Sequence, residues 1–225
     1  MKALTLLSGG VDSATSLAML CKEYGAENVV ALSVSYGQKH EKELLASECL
    51  AEYYGVEHIY LDLTPIFQFS DCSLLSHSDQ EIPQEDYATQ LDGQEGKPVT
   101  TYVPFRNGLF LSAAASVALS KECEIVSYGA HRDDAAGHAY PDCSKEFYDA
   151  MNAAIMEGSG GQARLEAPFV GMTKAEVVKI GLKLHVPYHL TWSCYEGGER
   201  PCGHCATCID RAKAFAANGV KDPAL

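Results

Sequence analysis

Ser8, Gly9, Gly10, Val11, Asp12 and Ser13 follow directly on the apolar run Ala3 to Leu7. Two consecutive glycines can take backbone angles closed to other residues and carry no Cβ, so successive amides can turn toward one anion. Ser8 and Ser13 add hydroxyl donors. Ala14, Leu17, Ala18 and Cys21 then recur at helical spacing, which makes Ala14 and Thr15 the opening of a helix whose dipole and free amides face that anion. A Walker loop needs a Lys and a Ser or Thr after its last glycine, and none stands here. The expected chemistry is therefore capture of pyrophosphate leaving ATP, with cleavage between the α and β phosphates. Asp12 either positions magnesium on the phosphates or caps the helix amides.

A second group lies near the other end. Cys194, Cys202, Cys205 and Cys208 form a C-x7-C-x2-C-x2-C pattern threaded with Gly197, Gly198, Pro201 and Gly203. Two-residue spacers let neighbouring sulfurs reach one ion, and four thiolates suit tetrahedral zinc. With all four positions filled by protein, such an ion braces structure and leaves no open position for a substrate. An iron-sulfur cluster is the competing ligand set, because C-x2-C-x2-C also opens ferredoxin runs. Cys21, Cys49, Cys72, Cys123 and Cys143 lack this spacing and are expected to pack as small apolar side chains.

Other reactive types fall at turns. Arg106 and Asn107 open a helix over 109–119, where an arginine can grip phosphate in two-pronged fashion or remain a solvated charge. The turn at 129–134 carries His131, Arg132, Asp133 and Asp134, and the turn after 34 carries Tyr36, Gln38 and, further on, His40.

These residues need a frame, and the apolar pattern supplies one. Short β-rich runs at 3–7, 28–34, 58–63 and 124–128 alternate with stretches of helical period such as Ala46, Cys49, Leu50 and Tyr53. That alternation predicts an α/β fold, a doubly wound parallel sheet with helices on both faces. Ligands of such sheets bind beyond the carboxyl ends of the strands, where the three turns converge. A capping box, Thr173 to Glu176, opens a further helix carrying Val177, Ile180, Gly181 and Leu184 on one face. The expected organisation is an ATP-binding domain over 1–185 and a small helical, metal-binding segment over 186–225. Between about 70 and 97 the periodicity fails: Asp71, Asp79, Glu81, Glu85, Asp86, Asp92 and Glu95 are countered only by Lys97. This reads as a long acidic loop acting as a lid, a partner contact or a disordered segment.

The 225 residues are 47% apolar and carry a formal charge of −13, which argues against a nucleic-acid partner and for a small-molecule substrate. There is no signal peptide and no apolar run of membrane length, so a cytoplasmic protein without membrane contact is expected, its nine cysteines reduced. An N-terminal-nucleophile glutaminase would carry Cys after the initiator Met; Lys2 stands there, and no G-x-C-x-G turn occurs, so free ammonia is the expected nitrogen donor unless another protein supplies it.

SGGVDS resembles the PP-loop of the ATP pyrophosphatase superfamily, whose members transfer AMP to a substrate oxygen and release pyrophosphate. SGGVDSAT, YGQKH, YVPFRNGLF, GAHRDDAAG, YPDCSKEF, TKAEVVKIGL and TWSCYEGGERPCGHCATCIDRAKAF together are similar to the 7-cyano-7-deazaguanine synthase family of the queuosine pathway, over nearly the whole chain. The resemblance implies conversion of 7-carboxy-7-deazaguanine and ammonia to the nitrile with ATP and Mg, release of AMP and pyrophosphate, a structural Zn and a homodimer. It implies catalytic roles for Asp12, Ser13 and Arg106, nucleotide binding by Ser8 to Thr15 with Arg106 and Asn107, and substrate contacts from Tyr36, Gln38, His131, Arg132, Asp133 and Asp134. Two related readings share the loop. An NAD synthetase-like amidoligase would not be expected to carry the four cysteines, and a tRNA-modifying PP-loop enzyme would be expected to show a basic face.

Overall fold

The computed structural model describes residues 1–92 and 97–224; Glu95 of the acidic run lies outside them. Five strands, β1 (Ala3–Leu6), β2 (Val29–Ser35), β3 (Glu57–Asp62), β4 (Ile125–Ser127) and β5 (Arg164–Glu166), form one all-parallel sheet in the order β3-β2-β1-β4-β5. Eight helices accompany them among the described residues: α1 (Val11–Tyr24), α2 (Lys42–Tyr54), α3 (Thr64–Phe67), α4 (Tyr87–Leu91), α5 (Arg106–Ser120), α6 (Lys145–Gly158), α7 (Lys174–Lys183) and α8 (Ala206–Ala217).

Strand periodicity divides the core. Ala3, Val29, Ala31 and Ile125 point to the face covered by α1, α2, α7 and α8, where Leu17, Leu50, Val178 and Phe215 meet them. Leu4, Val30, Leu32 and Val126 point the other way, against Leu111, Ala114 and Ala118 of α5 and Ile155 of α6. The central strands are buried on both sides, the burial a doubly wound sheet requires. Residues beyond 185 share the first of these cores: Tyr188 lies edge-on to Phe215, and its hydroxyl meets Thr15 Oγ1 at 2.8 Å.

The acidic stretch is better packed than its sequence suggests. Leu74, Leu75 and Ile82 are buried in a third cluster with Tyr36, Phe67, Val103 and the cysteines at 194, 205 and 208. Asp86 caps α4 by accepting from Thr89 N–H and takes an ion pair from Lys213 of α8 at 3.1 Å. No described helix is long and apolar enough to cross a membrane.

Candidate active site

The strand order reverses at β1, flanked by β2 and β4, and the crevice lies beyond its carboxyl end. The turn after β1 is pinned from three directions. Gly9 has φ +82°, and a Cβ there would stand 2.3 Å from the Glu43 carbonyl oxygen, so only glycine lets the turn pass under α2. Gly9 in turn accepts the Trp192 N–H at 2.9 Å from the C-terminal segment. At the end of β4 a Cβ on Gly129 would lie 3.0 Å from the Asp12 carbonyl carbon, a second close approach. Ser8 Oγ and Ser13 Oγ sit 3.1 Å apart. The amides of Val11, Asp12 and Ser13 precede the first α1 hydrogen bond, Ala14 N–H to Gly10 carbonyl at 3.0 Å, and are donors available to an anion.

Beside this turn lies a cavity of about 240 Å³. Of the residues expected from sequence it gathers Ser8, Gly10, Val11, Asp12, Ser13, Tyr36, Gln38, Arg106, Asn107 and Asp134. Arg106 lies over the Tyr36 ring at 5.0 Å and is half-buried, so the solvated-charge reading fails. Burial works against its charge, but the fields of Tyr36, Tyr195, Asp142 and Glu43 outweigh it and hold the guanidinium protonated. Asn107 braces the wall, donating its backbone N–H to Asp142 Oδ2 at 2.8 Å. Gln38 accepts the Tyr36 N–H at 2.9 Å through Oε1, leaving its buried Nε2 without a partner among the described residues.

Other expected contacts are placed elsewhere. Gly9 does not line the cavity because it is spent on the approach to α2; Ala14 is core, and Thr15 Oγ1 donates back to the Val11 carbonyl at 2.8 Å. Arg132 is exposed. Asp133 Oδ2 accepts the Lys174 N–H at 2.8 Å and so stabilises the start of α7. His131 is 1% exposed, behind the cavity, with Nε2 3.3 Å from Asp134 Oδ1 and 3.7 Å from Asp12 Oδ2. His40 packs against Trp192, their ring centroids 6.4 Å apart. Of the isolated cysteines Cys72, Cys123 and Cys143 are buried, Cys21 is half-buried, and Cys49, on the outer face of α2, is exposed.

The geometry adds residues that the motifs did not mark as site residues. Lys174, noted only inside the capping box, reaches Asp12 Oδ2 at 3.0 Å with 12% of its side chain exposed. Burial disfavours both charges, but for Asp12 the ammonium of Lys174 and the field of His131 prevail and hold the carboxyl below its usual range; Lys174 is held above its own by Asp12 and Asp134. Asp12 Oδ1 is buried without a partner among the described residues. Glu43, Tyr87, Tyr140, Tyr195 and Asp210 also line the cavity. The three tyrosine hydroxyls bond one another, Tyr87 to Tyr195 at 2.9 Å and Tyr140 to each at 3.3 Å, and so tie the start of α4 and two separate loops into one wall. Tyrosines spread over 108 residues share no local spacing that a motif could register.

The four cysteine sulfurs all lie within 4.8 Å of one another, Cys202 and Cys208 at 3.9 Å. A single tetrahedral ion with metal-sulfur bonds near 2.3 Å sets its thiolates about 3.8 Å apart, and this set can hold one. An iron-sulfur cube places each sulfur outside its own iron and would spread them further. Backbone N–H groups of Cys202 and Cys205 donate to the sulfurs of Cys194 and Cys202, each at 3.3 Å, the partners that thiolate charge requires.

A parallel sheet bearing a glycine-serine loop at its switch point defines a PP-loop-type α/β fold. The likeness extends to solved structures. The U34-tRNA thiolase NcsA from Methanococcus maripaludis with its 4Fe-4S cluster superposes at TM-score 0.54 and 16% identity, over 87% of this chain and 61% of that one. An NMN synthetase from Francisella tularensis superposes at 0.53 and 15% identity, over 98% and 78%. The family model for the queuosine biosynthesis protein QueC matches residues 2–219, and the chain belongs to that family. It is 44% identical over 226 aligned residues to a 7-cyano-7-deazaguanine synthase of Archaeoglobus fulgidus, covering 100% of this chain and 90% of that protein.

Proposed function

We propose that this chain is an ATP-dependent 7-cyano-7-deazaguanine synthase acting on 7-carboxy-7-deazaguanine and ammonia. The observation that carries the reading is that the serines of the pyrophosphate loop, Arg106 and Lys174 share one cavity in a member of the QueC family.

The chemistry follows from leaving groups. A carboxylate does not expel oxide, so the first ATP converts the acid to an acyl adenylate, a mixed anhydride with AMP as leaving group, and ammonia gives the amide. The amide oxygen leaves no better, and a second adenylation lets AMP depart as the C–N triple bond forms, so two ATP are consumed per nitrile. In both adenylations the protein's work is placement and neutralisation of charge at the α-phosphate. Ser8, Ser13 and the first-turn amides of α1 receive pyrophosphate. Arg106 and Lys174 supply positive charge from opposite walls. Asp134 and Gln38 offer acceptor and donor atoms to the heterocycle, and Tyr87, Tyr140 and Tyr195 enclose it. Magnesium is carried in with ATP, and the unpartnered Asp12 Oδ1 with Asp134 would hold it there, supplying charge neutralisation on the phosphates. The metal of the four cysteines is zinc in this reading, bracing Tyr195 and the loop from 194 to 208.

The protein acts in the cytoplasm and as a homodimer. Leu45, Tyr53 and Tyr60 are 55%, 58% and 47% exposed along α2 and the edge strand β3, a partly apolar surface suited to a second copy. Light scattering on the purified chain is expected to give twice its mass.

The decisive assay supplies ATP, magnesium, ammonium and 7-carboxy-7-deazaguanine to the purified protein. The nitrile should appear with two AMP per product. Formation of ADP, or of no nitrile, rejects the reading.

A further inference from the structure

Both nitrogen steps need a base, and the cavity holds few unclaimed carboxylates. Asp12 is taken by Lys174, and Asp134 by His131. Glu43 differs. It stands in the first turn of α2, its side chain lines the cavity beside Tyr36, Leu44 and Arg106, and its own carbonyl presses on Gly9, which fixes the residue against the phosphate loop. Among the described residues its carboxylate enters no ion pair, since Arg106 is directed onto the Tyr36 ring. Leu6, Leu7, Leu32 and Val34 make the neighbouring wall apolar. An unpaired carboxylate beside such a wall is a proton acceptor without a structural partner to lose.

Resting on the synthase reading, we propose that Glu43 is the general base for both nitrogen steps, taking a proton first from ammonium and later from the adenylated amide. In the first step ammonium passes one proton to the Glu43 carboxylate. The lone pair of the resulting ammonia forms the C–N bond as the C–O bond to AMP breaks, AMP keeping that electron pair, and the excess proton on nitrogen goes to solvent. Glu43 then returns its proton to solvent. In the second step adenylation of the amide oxygen releases one amide proton to solvent, and the resulting neutral imidate gives its remaining N–H proton to Glu43. The electron pair of that N–H bond becomes the third C–N bond, and AMP leaves with the C–O pair. No oxidant or further reactant is required.

Burial pushes the Glu43 carboxyl up to about 7, against the opposing field of Arg106, which matches a base working near neutrality. The other charged and titratable groups around α2 do not compete for this role. Tyr36 is driven above its usual range by burial, Lys42 lies over the Trp192 ring at 5.0 Å, and His58 and Tyr60 of β3 lie along its outer side in the field of Glu48. Asp210, the remaining cavity carboxylate without an ion pair, is pushed up by burial but sits in the fields of Lys174 and Asp134.

The test compares two nucleophiles in the Glu43→Gln variant: ammonium, which must lose a proton to react, and hydroxylamine, which is already neutral at neutral pH. The variant should make nitrile from ammonium about 100-fold more slowly, while hydroxamate formation falls by less than about tenfold. In wild type kcat/KM for ammonium should level off above the Glu43 titration near 7, and in the variant that bend should be lost, leaving a rate that keeps rising in proportion to free ammonia as pH is raised. Glu43→Asp, which keeps the carboxylate, should retain the bend at a displaced pH and provides the measurement should the Gln variant not fold. Equal loss with both nucleophiles, an unchanged bend near 7, or the same selective loss in Asp210→Asn would overturn the assignment. Failure of the synthase reading is seen separately, as wild-type protein that releases no AMP from ATP and the acid.

Discussion

Lys174 Nζ stands 3.0 Å from Asp12 Oδ2, so residues 162 apart in the chain bring together the first turns of α7 and α1. A cation in the first turn of a helix is opposed by the helix dipole, and here it is also nearly buried. It is tolerated because Asp12 faces its ammonium and Asp133 takes its backbone N–H. In the proposed reaction this arrangement supplies from a distant helix the phosphate-facing lysine that the glycine-serine loop itself lacks. Lys174→Met should therefore lower kcat/KM for ATP by about 100-fold or more, the usual loss for one preorganised charge-stabilising donor. Lys174→Arg should recover little, since the planar guanidinium does not reproduce a point charge at this spacing. Initial rates at varied ATP check both.

The two charges of that pair persist across neutral pH. The Lys174 contribution is present below the unfolded lysine value near 10.4 and fades only as pH rises through its raised folded value. The Asp12 contribution is present above about 3.9 and fades as pH falls through its depressed value. The destabilisation caused by Lys174→Met should thus stay constant from about pH 5 to pH 9, as read from melting temperatures.

Glu43 has the opposite sign. Its folded carboxyl lies above the unfolded value near 4.5, at about 7, so the native state loses stability as pH rises between those two values and the loss is complete above them. Glu43→Gln removes that loss. Urea melts should show the variant about 1 to 3 kcal/mol more stable than wild type at pH 8 and no more stable at pH 4.5. A residue that gives up stability to stand in a cavity is the pattern expected where function sets the choice.

The cysteine set carries its own reporter. The chain has one tryptophan, Trp192, whose indole N–H donates to the Cys194 carbonyl at 2.8 Å and whose backbone N–H reaches Gly9. Cys205→Ser should release the metal, lower the melting temperature by several degrees and shift Trp192 fluorescence to the red as the loop opens to water. Tyr195, one residue beyond a ligand and bonded to Tyr87 and Tyr140, should loosen with it, so KM for the heterocyclic acid should rise. Metal content, fluorescence and KM are measured on the same sample; unchanged fluorescence after metal loss would separate the cysteine set from the cavity.

Much of this was legible in the chain. The strands over 28–34 and 58–63, the helix at 173 with its capping box, the serine-glycine loop and the four cysteines follow from local period and spacing, and all depend on contacts within a few residues. β5, at Arg164–Glu166, escaped because its one apolar residue, Leu165, stands between two charged ones, whereas the equally short β4 lies in the apolar run at 124–128. The acidic stretch looked like a loop because its buried residues, Leu74, Leu75 and Ile82, are spaced to meet the cysteine segment and Phe67 and obey no helix or strand repeat. His131, Arg132 and Asp133 looked alike as a charged turn. Only the fold shows that Asp133 serves α7, that His131 backs the cavity and that the neighbouring Asp134 lines it.

The C-terminal tail closes the frame that holds these loops. Arg211 donates Nε to Asp222 Oδ2 at 2.6 Å and Nη2 to Oδ1 at 2.9 Å, with side chains 5% and 3% exposed, and its remaining donors reach Thr191 Oγ1 at 2.8 Å and the Tyr188 carbonyl at 3.1 Å. Removing one partner of such a buried pair leaves the other charge without compensation, so Asp222→Ala should cost about 3 to 5 kcal/mol in urea unfolding. The double variant Arg211→Met with Asp222→Ala should cost less than the sum of the two single changes, because no charge is then stranded. Since Arg211 holds the stretch that leads to Trp192 and thence to Gly9, Asp222→Ala should also raise KM for ATP while Lys174, Arg106 and the serines stay intact. A destabilised variant with unchanged KM would confine Arg211 to stability alone.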